Sequence, residues 1–173
     1  MIHRAISRLN WVYNQITDML AFLSGVIVVC LMLAVSLEVI LRYFFGRPTI
    51  WVTEMSGYAL LYIPFLAAAW VQKREENVNV DLVINRMGEK ARSFLNTITS
   101  LISAVVCVII TYYALKTTIY FFNAGYKTPT VLMLPKSLII AVVFVGTFFL
   151  SIQFLIRTHT HYKVWKKLKN AAE

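Results

Sequence analysis

Cysteine, histidine and charge are all scarce in this chain. Its 173 residues include two cysteines, three histidines and only 14% charged side chains. Cys30 and Cys107 stand alone in separate apolar runs. With no C-x-x-C pair, the thiol chemistry of a membrane disulfide-exchange enzyme is not spelled out. They read instead as small apolar core residues. His3, His159 and His161 all lie near the ends of the chain, whereas a membrane haem needs histidines inside the spans. His159 and His161 form at most an adventitious metal pair. There is no glycine-rich phosphate loop, no nucleophile elbow and no dense acidic cluster. The expectation is a protein that is not an enzyme and that has no catalytic residue, metal site or cofactor.

What the chain has in excess is apolar residues, at 59%, against roughly 45–50% in soluble domains. The excess is gathered into runs. Residues 19–37, 94–115 and 137–156 carry no charge, and residues 51–71 carry one, Glu54. Each run suits a hydrocarbon layer about 30 Å thick at about 1.5 Å rise per residue. The runs are apolar all round, which a water-soluble bundle forbids. They also do not alternate, as the strands of a membrane barrel would. The fold class is therefore an all-α membrane protein. It is read as one domain, residues 1–173, with four transmembrane spans at about 19–41, 51–71, 94–122 and 136–157. The first run is too long for a cleavable signal and is read as the first span.

Basic residues are unevenly placed. Twelve fall in the N-terminal segment, the connection between the second and third spans, and the C-terminal tail; the other five, Arg42, Arg47, Lys116, Lys127 and Lys136, fall toward the opposite side. The positive-inside rule then puts both termini in the cytoplasm. Tyr162 and Trp165 interleave with tail lysines. This pattern is read as juxtamembrane charge meeting anionic lipid, at about 1 kcal/mol per basic residue, and nucleic acid is not expected as a partner.

Two stretches outside the spans are periodic. Ile2, Ile6, Leu9 and Tyr13 form one helical stripe that runs toward Ile16. Val80, Val83, Ile84 and Met87 form another between the second and third spans. Both read as amphipathic interfacial helices that face either lipid or a larger membrane subunit.

The remaining charges frame the first hairpin: Glu38, Arg42, Arg47 and Glu54, with Trp51 among them. Charge in the bilayer marks a functional candidate. Glu38 and Arg42 are four apart, in the favourable order for a helical ion pair. Arg42 or Arg47 is also placed to reach Glu54. Three readings stay open: an ion-pair clamp on the hairpin, a contact with another protein, and a proton or ion pathway. Lys127 and Lys136 flank the last outer connection, where Gly125, Pro129 and Pro135 break helix and residues 131–134 form an apolar patch. Pro64, inside the second span, is expected to kink it.

Taken together, these blocks resemble a known family. Arg42-Tyr-x-Phe, then Trp51-x-x-Glu54, Asn77-Val-Asn-Val-Asp81, and Thr128-Pro129 followed by Leu134-Pro135 are similar to the small membrane subunit of tripartite ATP-independent periplasmic (TRAP) transporters. Thr53 stands where the family often has a first Glu, and Asn77 replaces its usual His. The resemblance implies a scaffold subunit of a sodium-driven, binding-protein-dependent uptake system for an organic acid, with sialic acid and C4-dicarboxylates the leading substrates. It implies two partners, a large multi-span transporter subunit and a periplasmic substrate-binding protein. Lys127 and Lys136 are then docking candidates. The alternative class is a small proton-coupled four-helix exporter acting as a homodimer, which would need a deep carboxylate in the first span; Glu38 is the one candidate.

Overall fold

The structure is a computed structural model. It describes residues 2–46, 49–75 and 89–170, with side chains described at 10–46, 49–74 and 93–166. The described chain forms four helices, α1 (Ile2–Phe45), α2 (Ile50–Glu75), α3 (Glu89–Ala124) and α4 (Lys136–Asn170). Each contains a stretch long and apolar enough to cross a membrane. Among the described residues, extended pairing is confined to one isolated bridge, Lys127 with Pro135.

The helices overrun the expected spans. α1 has 44 residues, about 66 Å of helix. The N-terminal stripe is the first part of α1, continuous with the first span. Ile2, Ile6 and Leu9 lie on that part, but their side chains are outside those described. Tyr13 is buried, and its hydroxyl donates to the Phe149 carbonyl of α4 at 3.0 Å. Its neighbour is thus a helix of the same chain. Val80, Val83, Ile84 and Met87 lie outside the described residues.

The main packing is α1 on α2, α2 on α4 and α4 on α3. The lateral order differs from chain order because α4 sits between α2 and α3. Successive helices alternate in direction, so the packed pair α2 and α4 run parallel. Much of α1 is left uncovered, with Phe22 and Met32 among its exposed side chains.

The α3–α4 seam is built from small residues. Ser93, Thr97, Ser100, Ala104, Cys107, Thr111, Ala114 and Thr118 follow one another at alternating steps of four and three. Of these, Ser93, Ser100, Ala104, Cys107 and Ala114 are buried. That is the 3.5-residue repeat of a left-handed helix pair. Lipid chains are as apolar as leucine, so burial in a membrane does not reward bulk, and close backbone approach does the work instead. Thr97, Thr111 and Thr118 donate to carbonyls four residues back, each at 2.7 Å, which satisfies their hydroxyls within α3. Ser137, Thr147 and Ser151 are the buried small polar residues of α4.

Pro64 lies within a continuous α2. It removes one helical donor. The Ser24 hydroxyl of α1 donates to the Ile63 carbonyl at 3.1 Å.

Candidate functional site

The residues of interest gather at one end of the molecule, where α1 ends, α2 begins and the α3–α4 connection turns. Glu38 and Arg42 form an ion pair one turn apart on α1. Glu38 is only 7% exposed, while the Arg42 side chain is 53% exposed. The pair thus couples a buried carboxylate to a guanidinium that reaches outward from the helix.

Glu54 does something different from what its charge suggested. Its Oε1 accepts from the Val131 amide at 2.9 Å, and its Oε2 from the Leu132 amide at 3.2 Å. These partners are 77 and 78 residues away in sequence. A carboxylate that receives two consecutive backbone N–H groups makes charge-assisted hydrogen bonds, which are stronger than neutral ones. So the Glu38–Arg42 pair and Glu54 are two separate devices among the described residues. Arg47 lies outside them.

Glu54 is the first rung of a ladder down one face of α2. Tyr58, four residues on, meets the Thr130 hydroxyl at 3.3 Å, and Thr130 in turn meets Thr128 at 2.9 Å. Tyr62, four further, points its hydroxyl at the Leu138 carbonyl at 3.5 Å, the outer edge of hydrogen-bond range. The i, i+4, i+8 spacing puts all three on one helical face. Tyr58 and Thr130 were not singled out from the sequence, and Thr128 entered only through the family resemblance. A polar stripe through Glu54, Tyr58 and Tyr62, beside a Thr-Pro-Thr turn, was the available signal.

The connection gripped by this ladder is itself ordered. The Thr128 amide donates to Leu134 at 2.8 Å, and the Lys136 amide to Tyr126 at 3.0 Å. Gly125 has a φ of +64°, the left-handed conformation that glycine adopts freely. Met133, at φ +42°, adopts a similar conformation without that freedom. The turn holds Val131 and Met133 outward, 70% and 64% exposed. Lys127 is exposed beside them. Lys136 is half-buried, with its ammonium 5.8 Å from the centre of the Phe121 ring. Trp51 is exposed and borders a shallow apolar groove between α1 and α2, together with Cys30 and Met55.

These contacts make a braced rim at this end of the described molecule. The profile of the tripartite ATP-independent periplasmic transporters, DctQ component, matches residues 31–163. The chain belongs to this family. It is thus a small subunit of a TRAP transporter and a multi-pass protein of the bacterial inner membrane. The matched stretch takes in Glu38, Arg42, Glu54 and the whole α3–α4 connection. This DctQ-family chain is also similar to the sialic acid TRAP transporter permease protein SiaT of Haemophilus influenzae (strain 86-028NP). The two are 25% identical over 96 residues, 56% of this chain and 16% of that protein. The chain therefore matches only a small part of the length of that relative.

Proposed function

We propose that this DctQ-family chain is a scaffold subunit that carries no substrate itself. It works with a large multi-span membrane subunit and a periplasmic substrate-binding protein to take up an organic acid on a sodium gradient. The use of Glu54 is the observation that carries this reading. The one acid of the second apolar run is held by backbone amides through both its oxygens, where it shapes a surface. The uncovered length of α1 leaves room for a larger membrane neighbour in place of lipid. The similarity to part of a sialic acid permease favours sialic acid over C4-dicarboxylates as the class of cargo. In this arrangement both termini are cytoplasmic, the rim bearing Val131, Met133 and Lys127 faces the periplasmic protein, and the basic tail meets anionic lipid.

The test is purification of the tagged chain from its own host in mild detergent, followed by reconstitution. A larger multi-span protein should copurify. The pair should take up the acid with sodium only when the periplasmic protein is added, and the chain alone should take up nothing. Uptake by the chain alone, or recovery only as a homodimer, would refute the proposal.

A further inference from the structure

At the opposite end of the first hairpin, α1 and α2 form a polar cavity of about 520 Å³ lined by Asp18, Trp70, Lys73 and Arg74. Asp18 immediately precedes the charge-free run of α1, and Lys73 and Arg74 follow the apolar run of α2. All three charges therefore sit where the hydrocarbon layer gives way to headgroups. Lys73 and Arg74 occupy the last turn of α2, whose carbonyl end favours cations.

The cavity is built asymmetrically. The Arg74 guanidinium lies over the Trp70 ring, 4.5 Å from its centre. Stacking fixes the plane of the guanidinium while leaving its N–H edge available. No carboxylate among the described residues forms an ion pair with it. Lys73 approaches Asp18 at 3.6 Å, longer than a charge-assisted hydrogen bond of about 2.7–2.9 Å. Among the described residues one carboxylate thus faces two cations, and the described lining carries a net positive charge; Glu75 and Glu76 follow Arg74 in sequence, with side chains outside those described. Just inside it along α1, Met19 and Phe22 expose apolar surface. A fixed guanidinium edge, a loosely held ammonium and an adjoining greasy surface fit a phosphate joined to acyl chains.

We infer that Lys73 and Arg74, with Trp70 as the platform, bind the phosphate of an anionic phospholipid headgroup at the α1–α2 junction. Asp18 holds Lys73 in place when the lipid is absent and weakens the site when it is present. The inference needs only that α1 and α2 cross the membrane. It stands or falls separately from the transport reading.

The experiment is native mass spectrometry of the full chain in a neutral detergent, titrated with phosphatidylglycerol or with phosphatidylcholine of the same acyl chains. One phosphatidylglycerol should stay bound in preference to phosphatidylcholine. Lys73→Gln with Arg74→Gln should weaken that binding more than tenfold, at about fivefold per basic residue. Lys116→Gln, at an exposed position of α3 far along the chain from the cavity, should leave the tight adduct in place. Asp18→Asn should tighten binding, which keeps the idea testable if the double variant folds poorly. Unchanged phosphatidylglycerol retention in a folded Lys73→Gln/Arg74→Gln chain would overturn the site, as would weaker binding in Asp18→Asn. A third arm adds soluble glycerol phosphate. Competition with phosphatidylglycerol only at far higher concentration is expected, whereas equal affinity would make the ligand a soluble anion and overturn the lipid assignment.

Discussion

Gly146 and Phe65 meet with no side chain between them. A Cβ placed on Gly146 of α4 would lie 2.2 Å from the Phe65 carbonyl oxygen of α2. The obstacle is backbone, so it has no rotamer into which to move. Gly146→Ala should therefore push α2 and α4 apart and destabilise the chain by about 1–3 kcal/mol, the usual range for overpacking. Gly25 has nothing within 4 Å of its would-be Cβ. Gly25→Ala should be neutral or stabilising by up to about 1 kcal/mol, since alanine is the better helix former. Thermal unfolding of both variants in one detergent checks the contrast.

Glu54 and the amides of Val131 and Leu132 are coupled across 77 and 78 residues of chain. Glu54→Ala leaves two amides without their acceptor and should cost about 1–3 kcal/mol if water does not replace it, less because the site is partly open. Glu54→Gln keeps one acceptor oxygen and should cost less. The sharper readout is hydrogen exchange, where the amides of 131 and 132 should lose protection in Glu54→Ala while those of α3 keep theirs. Unchanged exchange at 131 and 132 would remove Glu54 from the rim.

The two acidic devices should separate in double-mutant cycles. Arg42→Leu leaves a buried carboxylate unpaired. That costs about 3–5 kcal/mol at a fully buried site and less here, since Arg42 is half-exposed. Adding Glu38→Leu should recover part of the loss. Arg42→Leu combined with Glu54→Ala should be additive, because the two share no partner among the described residues. A large coupling between Arg42 and Glu54 would restore a single charge cluster.

Topology follows from the uneven basic residues. With Cys30 and Cys107 replaced, single cysteines at positions 3, 80, 126 and 170 can be probed with an impermeant thiol reagent. Labelling from outside is expected at 126 alone. Labelling at 80 or 170 would reverse the orientation.

Four spans and the helix-breaking last connection were legible in the amino-acid sequence. Each depends on something local: about 20 apolar residues suffice to place a helix in hydrocarbon, and glycine and proline stop helices where they stand. The Glu38–Arg42 pair was legible for the same reason, since four residues of spacing on one helix bring the two together. The ends of the helices were not, because the lengthy extensions of α1 and α4 carry charge that a hydropathy reading assigns to flanking segments. Only the tertiary structure decided the lateral order α1, α2, α4, α3, the small-residue seam along α3, and the partner of Glu54. In a membrane every apolar face is equally content with lipid, so hydrophobicity does not say which helix faces which. Steric fit does, through residues as small as Gly146 and Ala104. The donors to Glu54 are backbone amides, which every residue but proline carries, and no pattern of side chains marks the two that a fold 77 residues away will present.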